Sequence, residues 1–74
     1  MNKDQFIEKV KLIFDETPQE QITLQTNFKN LEEWNSLLIL SLIVTLEENF
    51  SILISANDIE QSNSFEELFD KISI

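Results

Sequence analysis

Seventy-four residues make one domain and no more, with a thin stability margin that an efficiently packed core must supply. The absence of cysteine and histidine excludes disulfides and thiolate metal sites, and removes the commonest general base and transition-metal ligand. Five lysines, no arginine and fourteen carboxylates give a formal net charge of −9, a surface that repels nucleic acid and anionic membranes and favours basic protein patches.

The chain's own chemistry is therefore poor. No enzyme and no metal site is expected, and any reactive group must be borrowed. The first five residues, Met-Asn-Lys-Asp-Gln, lack an apolar core and a small-residue cleavage site, so no signal peptide is expected there. The longest apolar stretch, 37–46, is ten residues interrupted by Ser41 and Thr45; about eighteen would be needed to span a bilayer. A cytoplasmic, monomeric protein is the expectation. There is no repeat, and the lack of glycine disfavours tight hairpins and phosphate-cradling loops.

Phe6, Ile7, Val10, Ile13 and Phe14 recur at helical spacing, with Asp4, Glu8, Lys9, Lys11 and Asp15 on the other face. The spacing predicts a first helix over residues 3–16. The single proline, Pro18, stops it, because the preceding residue avoids the helical region.

Residues 17–35 are polar, with apolar anchors at Ile22, Leu24, Phe28, Leu31 and Trp34 that fit neither a helix nor a strand. A long loop pinned to the core is the natural reading. Loops beyond about 12–15 residues usually have a function or conceal a short helical turn. This one leads straight into Ser36.

Either Asn35 or Ser36 can cap the helix predicted over 37–50. Ile39, Leu42, Ile43, Leu46 and Phe50 form one stripe along it, and Leu37, Leu40 and Val44 form a second on a different side. A helix apolar on two sides is either central in its fold or shows one side to a partner. Both readings stay open for the second stripe.

Residues 51–55 connect onward, with enough β character to admit a short strand. Asn57 or Ser55 can cap a short helix through Ile59 and Gln61. Ser64-Phe65-Glu66-Glu67 has the form of a capping box opening a last helix with Phe65, Leu68, Phe69 and Ile72 on its apolar side. The fold class is all-α: a small four-helix bundle, residues 1–74, with a long first loop and a short third helix.

The informative stretch is Asn35-Ser36-Leu37, preceded by Trp34 and followed by Leu42 and by Leu46-Glu47-Glu48-Asn49-Phe50. Here the chain resembles the acyl carrier proteins, which carry Asp-Ser-Leu at the start of their second helix and then a leucine-rich helix ending in Leu-Glu-x-x-Phe. Helix order, acidity and length extend the resemblance over the whole chain. It implies that a phosphopantetheinyl transferase moves a 4′-phosphopantetheine arm from coenzyme A onto Ser36. The arm would hold an acyl or aminoacyl group as a thioester for delivery to separate acyl-loading and acyl-transfer enzymes of fatty-acid, polyketide or another specialised biosynthesis.

A serine at a helix start suits a phosphodiester, since free amides and the helix dipole there favour negative charge. From local residues alone, Ser36 reads more readily as a plain cap; the whole-chain resemblance is what turns the reading to an attachment site. Three positions depart from the family pattern: Asn35 replaces the usual aspartate, and Leu38 and Ser41 are neutral where carriers are often acidic. Trp34 is more typical of specialised carriers. The charge left nearby is Glu32 and Glu33 before the serine, with Glu47, Glu48, Asp58 and Glu60 further along. Partner binding is accordingly expected at Leu37, Leu40 and Val44, flanked by Glu47 and Glu48. The alternative is a carrier-like fold that is never modified and acts as an acidic helical interaction module. An unrelated acidic adapter or nucleic-acid mimic rests on net charge alone.

Overall fold

The computed structural model describes residues 2–72. α1, Lys3–Ile13, opens with a reciprocal cap: the Gln5 amide donates to the Asn2 side chain at 2.8 Å, and the Asn2 amide donates to the Gln5 side chain at 3.0 Å. It ends earlier than the apolar spacing predicts. The Phe14 amide still reaches the Val10 carbonyl, but its backbone has left the helical region, and its ring is fully buried. Phe6, Val10 and Phe14 form the buried edge of this helix, with Ile7 and Ile13 packed beside them.

The long loop conceals two single 3-10 turns, Gln19–Gln21 and Phe28–Asn30. Pro18 opens the first, where its fixed φ suits a turn. The Asn27 side chain caps the second by accepting from the Lys29 amide. Ile22 and Phe28 are buried, while Leu24, Leu31 and Trp34 are half-buried. Ile22, Phe28, Leu31 and Trp34 pin the loop to the core as predicted, whereas Leu24 is tied through its carbonyl, which accepts from the Glu66 amide.

α2, Ser36–Phe50, is the longest element. Leu42 and Leu46 are buried, and Ile39, Ile43 and Phe50 pack against the core at partial exposure. Ser51 closes the helix in the left-handed region at φ 56°, with its amide reaching the Glu47 carbonyl at 3.0 Å. Residues 52–55 run on without strand pairing.

Ser55, rather than Asn57, caps α3, Ala56–Glu60; its hydroxyl accepts from the Asp58 amide while the Asp58 carboxylate accepts from the Ser55 amide. The lysines Lys29 and Lys71 donate to the Glu60 and Asp58 carbonyls, tying this five-residue helix to the loop and to α4.

α4, Phe65–Ile72, forms half of the expected capping box: the Glu67 amide donates to the Ser64 hydroxyl at 3.2 Å, with no return bond from the Ser64 amide to the Glu67 carboxylate among the described residues. Two more of its first amides go elsewhere. Phe65 donates to the Thr26 carbonyl and Glu66 to the Leu24 carbonyl, beside an isolated antiparallel bridge between Asn27 and Ser64. The first loop thus satisfies donors that a helix start leaves orphaned.

The core is mainly aromatic on the side of α1, α4 and the loop. Phe65 lies at its middle, with ring centroids 4.9 Å from Phe28, 5.3 Å from Phe14 and 6.4 Å from Phe6. Ile59 from α3 and Leu42 and Leu46 from α2 complete it. These are the four helices of a small all-α bundle, with no strand among the described residues.

Candidate functional site

Ser36 is the first residue of α2 and is exposed. Of the two candidate caps, Asn35 does the work: its side-chain oxygen accepts from the Leu37 amide at 2.8 Å and from the Leu38 amide at 3.2 Å. Capping therefore leaves the Ser36 hydroxyl free, and among the described residues it has no hydrogen-bond partner. Its neighbours Asn35 and Leu37 are exposed as well, so nothing stands over it.

The second stripe of α2 lies outside the core. Leu37 is 71% exposed, Leu40 58% and Val44 49%. With Ser41 and Thr45 they line a shallow groove that begins one residue after Ser36. Glu47 and Glu48 continue the same side at three and four residues past Val44, both exposed. They are far from the serine itself, about 17 Å along the axis from Ser36 to Glu47 at 1.5 Å per residue.

Leu38, neutral where carriers are often acidic, has a structural explanation: it is half-buried and packs against the core. Ser41 is also half-buried, at the border of the exposed side.

Charge is unevenly spread. Residues 30–70 hold nine carboxylates and no lysine, while the rest of the chain holds five of each. The entire net charge thus falls on the segment that contains α2 and α3. From Ser36 to Leu46, however, no residue is charged, so the serine and its groove form an apolar strip within an acidic surround.

Asp15, Glu16 and Glu33 form a separate carboxylate cluster where α1 hands over to the loop, with oxygens within 4.8 Å of one another. Asp15 and Glu16 are exposed, and Glu33 is held by Thr17 and the Glu16 amide. The sequence pointed to Glu33 only as nearby charge; its partners are sixteen and seventeen residues away, beyond what local spacing can show.

Ser36 thus stands exposed and unengaged at the head of the longest helix of a small all-α bundle. A family model described as the phosphopantetheine attachment site matches residues 4–72, and the chain belongs to that family. No curated protein and no solved structure gives a significant match. The family's cofactor is 4′-phosphopantetheine, held covalently. The head of α2 fits it: the hydroxyl is exposed and unengaged, and a phosphodiester there would meet the positive end of a fifteen-residue helix.

Proposed function

We propose that Ser36 is the attachment point, and that the chain carries an acyl or aminoacyl group and presents it to separate biosynthetic enzymes. The observation that carries this reading is the free, exposed Ser36 hydroxyl at the head of α2 in a chain of the phosphopantetheine attachment family. In the modification, Ser36 Oγ bonds to the phosphorus next to pantetheine in coenzyme A. The P–O bond to adenosine 3′,5′-bisphosphate breaks, and the hydroxyl proton passes to the transferase. The bound arm supplies a terminal thiol that holds its cargo as a thioester.

The chain's own residues do the rest. Asn35 holds the helix start in shape without engaging the hydroxyl. Leu37, Leu40 and Val44 offer partner enzymes an apolar landing beside the arm, and Glu47 and Glu48 extend it with charge. Leu37, Leu40 and Val44 are already partly covered, so burying what remains exposed contributes a few kcal/mol in all, less than the roughly 1.5–3 kcal/mol that each would give from full exposure. That suits a carrier that must bind briefly and leave. The domain works as a non-catalytic, cytoplasmic monomer in this reading.

Incubation with coenzyme A and a broad-range phosphopantetheinyl transferase, followed by intact-mass measurement, should show one added arm. Ser36→Ala should take up none. A chain that stays unmodified with several active transferases is instead an unmodified interaction module that uses the same α2 face.

A further inference from the structure

Just before Ser36 the chain is tied to a distant segment by contacts that the carrier role does not use. The Glu33 carboxylate accepts a hydrogen bond from the Thr17 hydroxyl through Oε2, and a longer one from the Glu16 amide, at 3.4 Å, through Oε1. Both donors lie in the exit from α1. Trp34 follows, stacked on Phe14 at 6.1 Å between centroids and meeting Phe28 at 5.0 Å. Asn35 and Ser36 come next in the chain.

The head of α2 needs such a tie. The fully buried side chains of this helix, Leu42 and Leu46, sit six and ten residues beyond Ser36, roughly 9 and 15 Å along the axis. Near the serine, Leu37 is exposed and Leu38 only half-buried. Core packing therefore holds the middle of α2 more firmly than its beginning.

Glu33 also sits where like charge opposes it, with the Asp15 and Glu16 carboxylates within 4.8 Å. Two donors aimed at its two oxygens account for its place there. A charge meant for a partner would stand free in solvent, as the exposed Glu32 does.

We infer that the Glu33–Thr17 clasp is a positioning device for the modification of Ser36. It fixes the strand of chain that carries the nucleophile against the end of α1, so that Oγ meets the transferase at a constant place. The inference rests on Ser36 being the attachment point. Glu33 and Thr17 are positioning residues: they touch neither coenzyme A nor the reacting oxygen, and act through the backbone of residues 33–36.

The test is transferase kinetics on Thr17→Val, Glu33→Ala and the double variant, with carrier concentration varied. The rates are paired with amide hydrogen exchange of residues 34–38. Each single variant should lower kcat by about three- to tenfold, less than the roughly hundredfold that a 1 Å misplacement of a reacting atom can cost. KM for the carrier should stay unchanged, the double variant should be no slower than the singles, and Thr17→Ser should restore the rate. Exchange should quicken at residues 34–38 and stay constant in the middle of α1 and in α4.

A wild-type rate for Thr17→Val, or a loss confined to Glu33→Ala and expressed in KM, overturns the inference and makes Glu33 a docking charge. If Thr17→Val is too unstable to assay, Glu33→Gln decides, because it keeps an acceptor oxygen and removes the charge. A rate equal to that of Glu33→Ala overturns the clasp. Unchanged exchange in Thr17→Val does the same, whatever Ser36 carries. Failure of the wild-type chain to accept an arm, with the exchange pattern intact, instead sinks the assignment of Ser36.

Discussion

Leu42 and Leu46 on one side of α2 are 0% and 2% exposed, whereas Leu37, Leu40 and Val44 on the other are 71%, 58% and 49% exposed, although all five are aliphatic. Residue type does not separate them; what the rest of the chain can cover does. The aromatic body built from Phe6, Phe14, Phe28, Phe65 and Phe69 covers one side of the helix together with α1, and the five-residue α3 lies beside it. A 74-residue chain has too little material to bury a helix all round. The side left open is the one that follows directly on Ser36. In the proposed reading this apolar surplus beside Ser36 is a surface for visiting proteins.

The strongest way to break this contrast is to cut into the buried side. Leu42→Ala or Leu46→Ala should cost about 2–5 kcal/mol through lost burial and the cavity left behind. A domain of this size has on the order of 4–11 kcal/mol in total. Chemical denaturation measures the loss, and Ile43→Ala, at a half-buried position, should cost less. A loss under about 1 kcal/mol at both leucines would mean that the core lies elsewhere.

A smaller effect is expected at the helix start, where the two sides meet. Asn35→Ala removes the acceptor for the Leu37 and Leu38 amides and should cost about 1 kcal/mol. Asn35→Asp keeps the cap and adds a negative charge at the positive end of the helix, a gain of about 0.3–1 kcal/mol. If the transferase also uses that charge, Asn35→Asp is modified faster. An equal rate would show that the cap alone suffices.

The sequence made the elements legible because each is short and strongly patterned. The 3.6-residue spacing of Phe6, Val10 and Phe14 is the buried edge of α1, and the Ser64 and Ser55 starts are where the caps form. Boundaries were harder. Phe14 fits the periodic pattern, yet its backbone leaves the helix while its ring stays in the core, so apolar spacing ran on past the true end at Ile13.

Non-local contacts were not legible at all. Nothing near Thr26 or Leu24 announces that their carbonyls will accept from α4, and nothing near Glu33 announces Thr17. The choice between core and surface for Leu37, Leu40 and Val44 was open for the same reason. It depends on which side the aromatic body reaches, a property of the whole chain. Ser36 was legible as a candidate because its neighbours resemble a family motif. That its hydroxyl is free, with Asn35 doing the capping, depends on side-chain geometry that neither residue's type decides.

The smallest stability effect, and the sharpest functional one, is expected on the exposed side. Replacing Leu40 by Ser or Val44 by Thr removes side chains already half or more in water, so thermal stability should change by no more than about 0.5 kcal/mol. If, as proposed, an enzyme reaching an arm on Ser36 approaches over this groove, the same substitutions should slow transfer to and from partner enzymes. The nearest charges on this side are Glu47 and Glu48, at the far end of the helix, and residues 36–46 carry none. Loss of Leu40 should therefore act through apolar contact, and the slowing should persist at high salt. Loss of Glu47 and Glu48 should matter mainly at low ionic strength, where long-range steering survives screening. Thermal melts beside transfer assays at two salt concentrations separate these cases. Unfolding on substitution of Leu40 and Val44 would return the stripe to the core. A transfer defect that vanishes in high salt would assign docking to the acidic surround in place of the leucines.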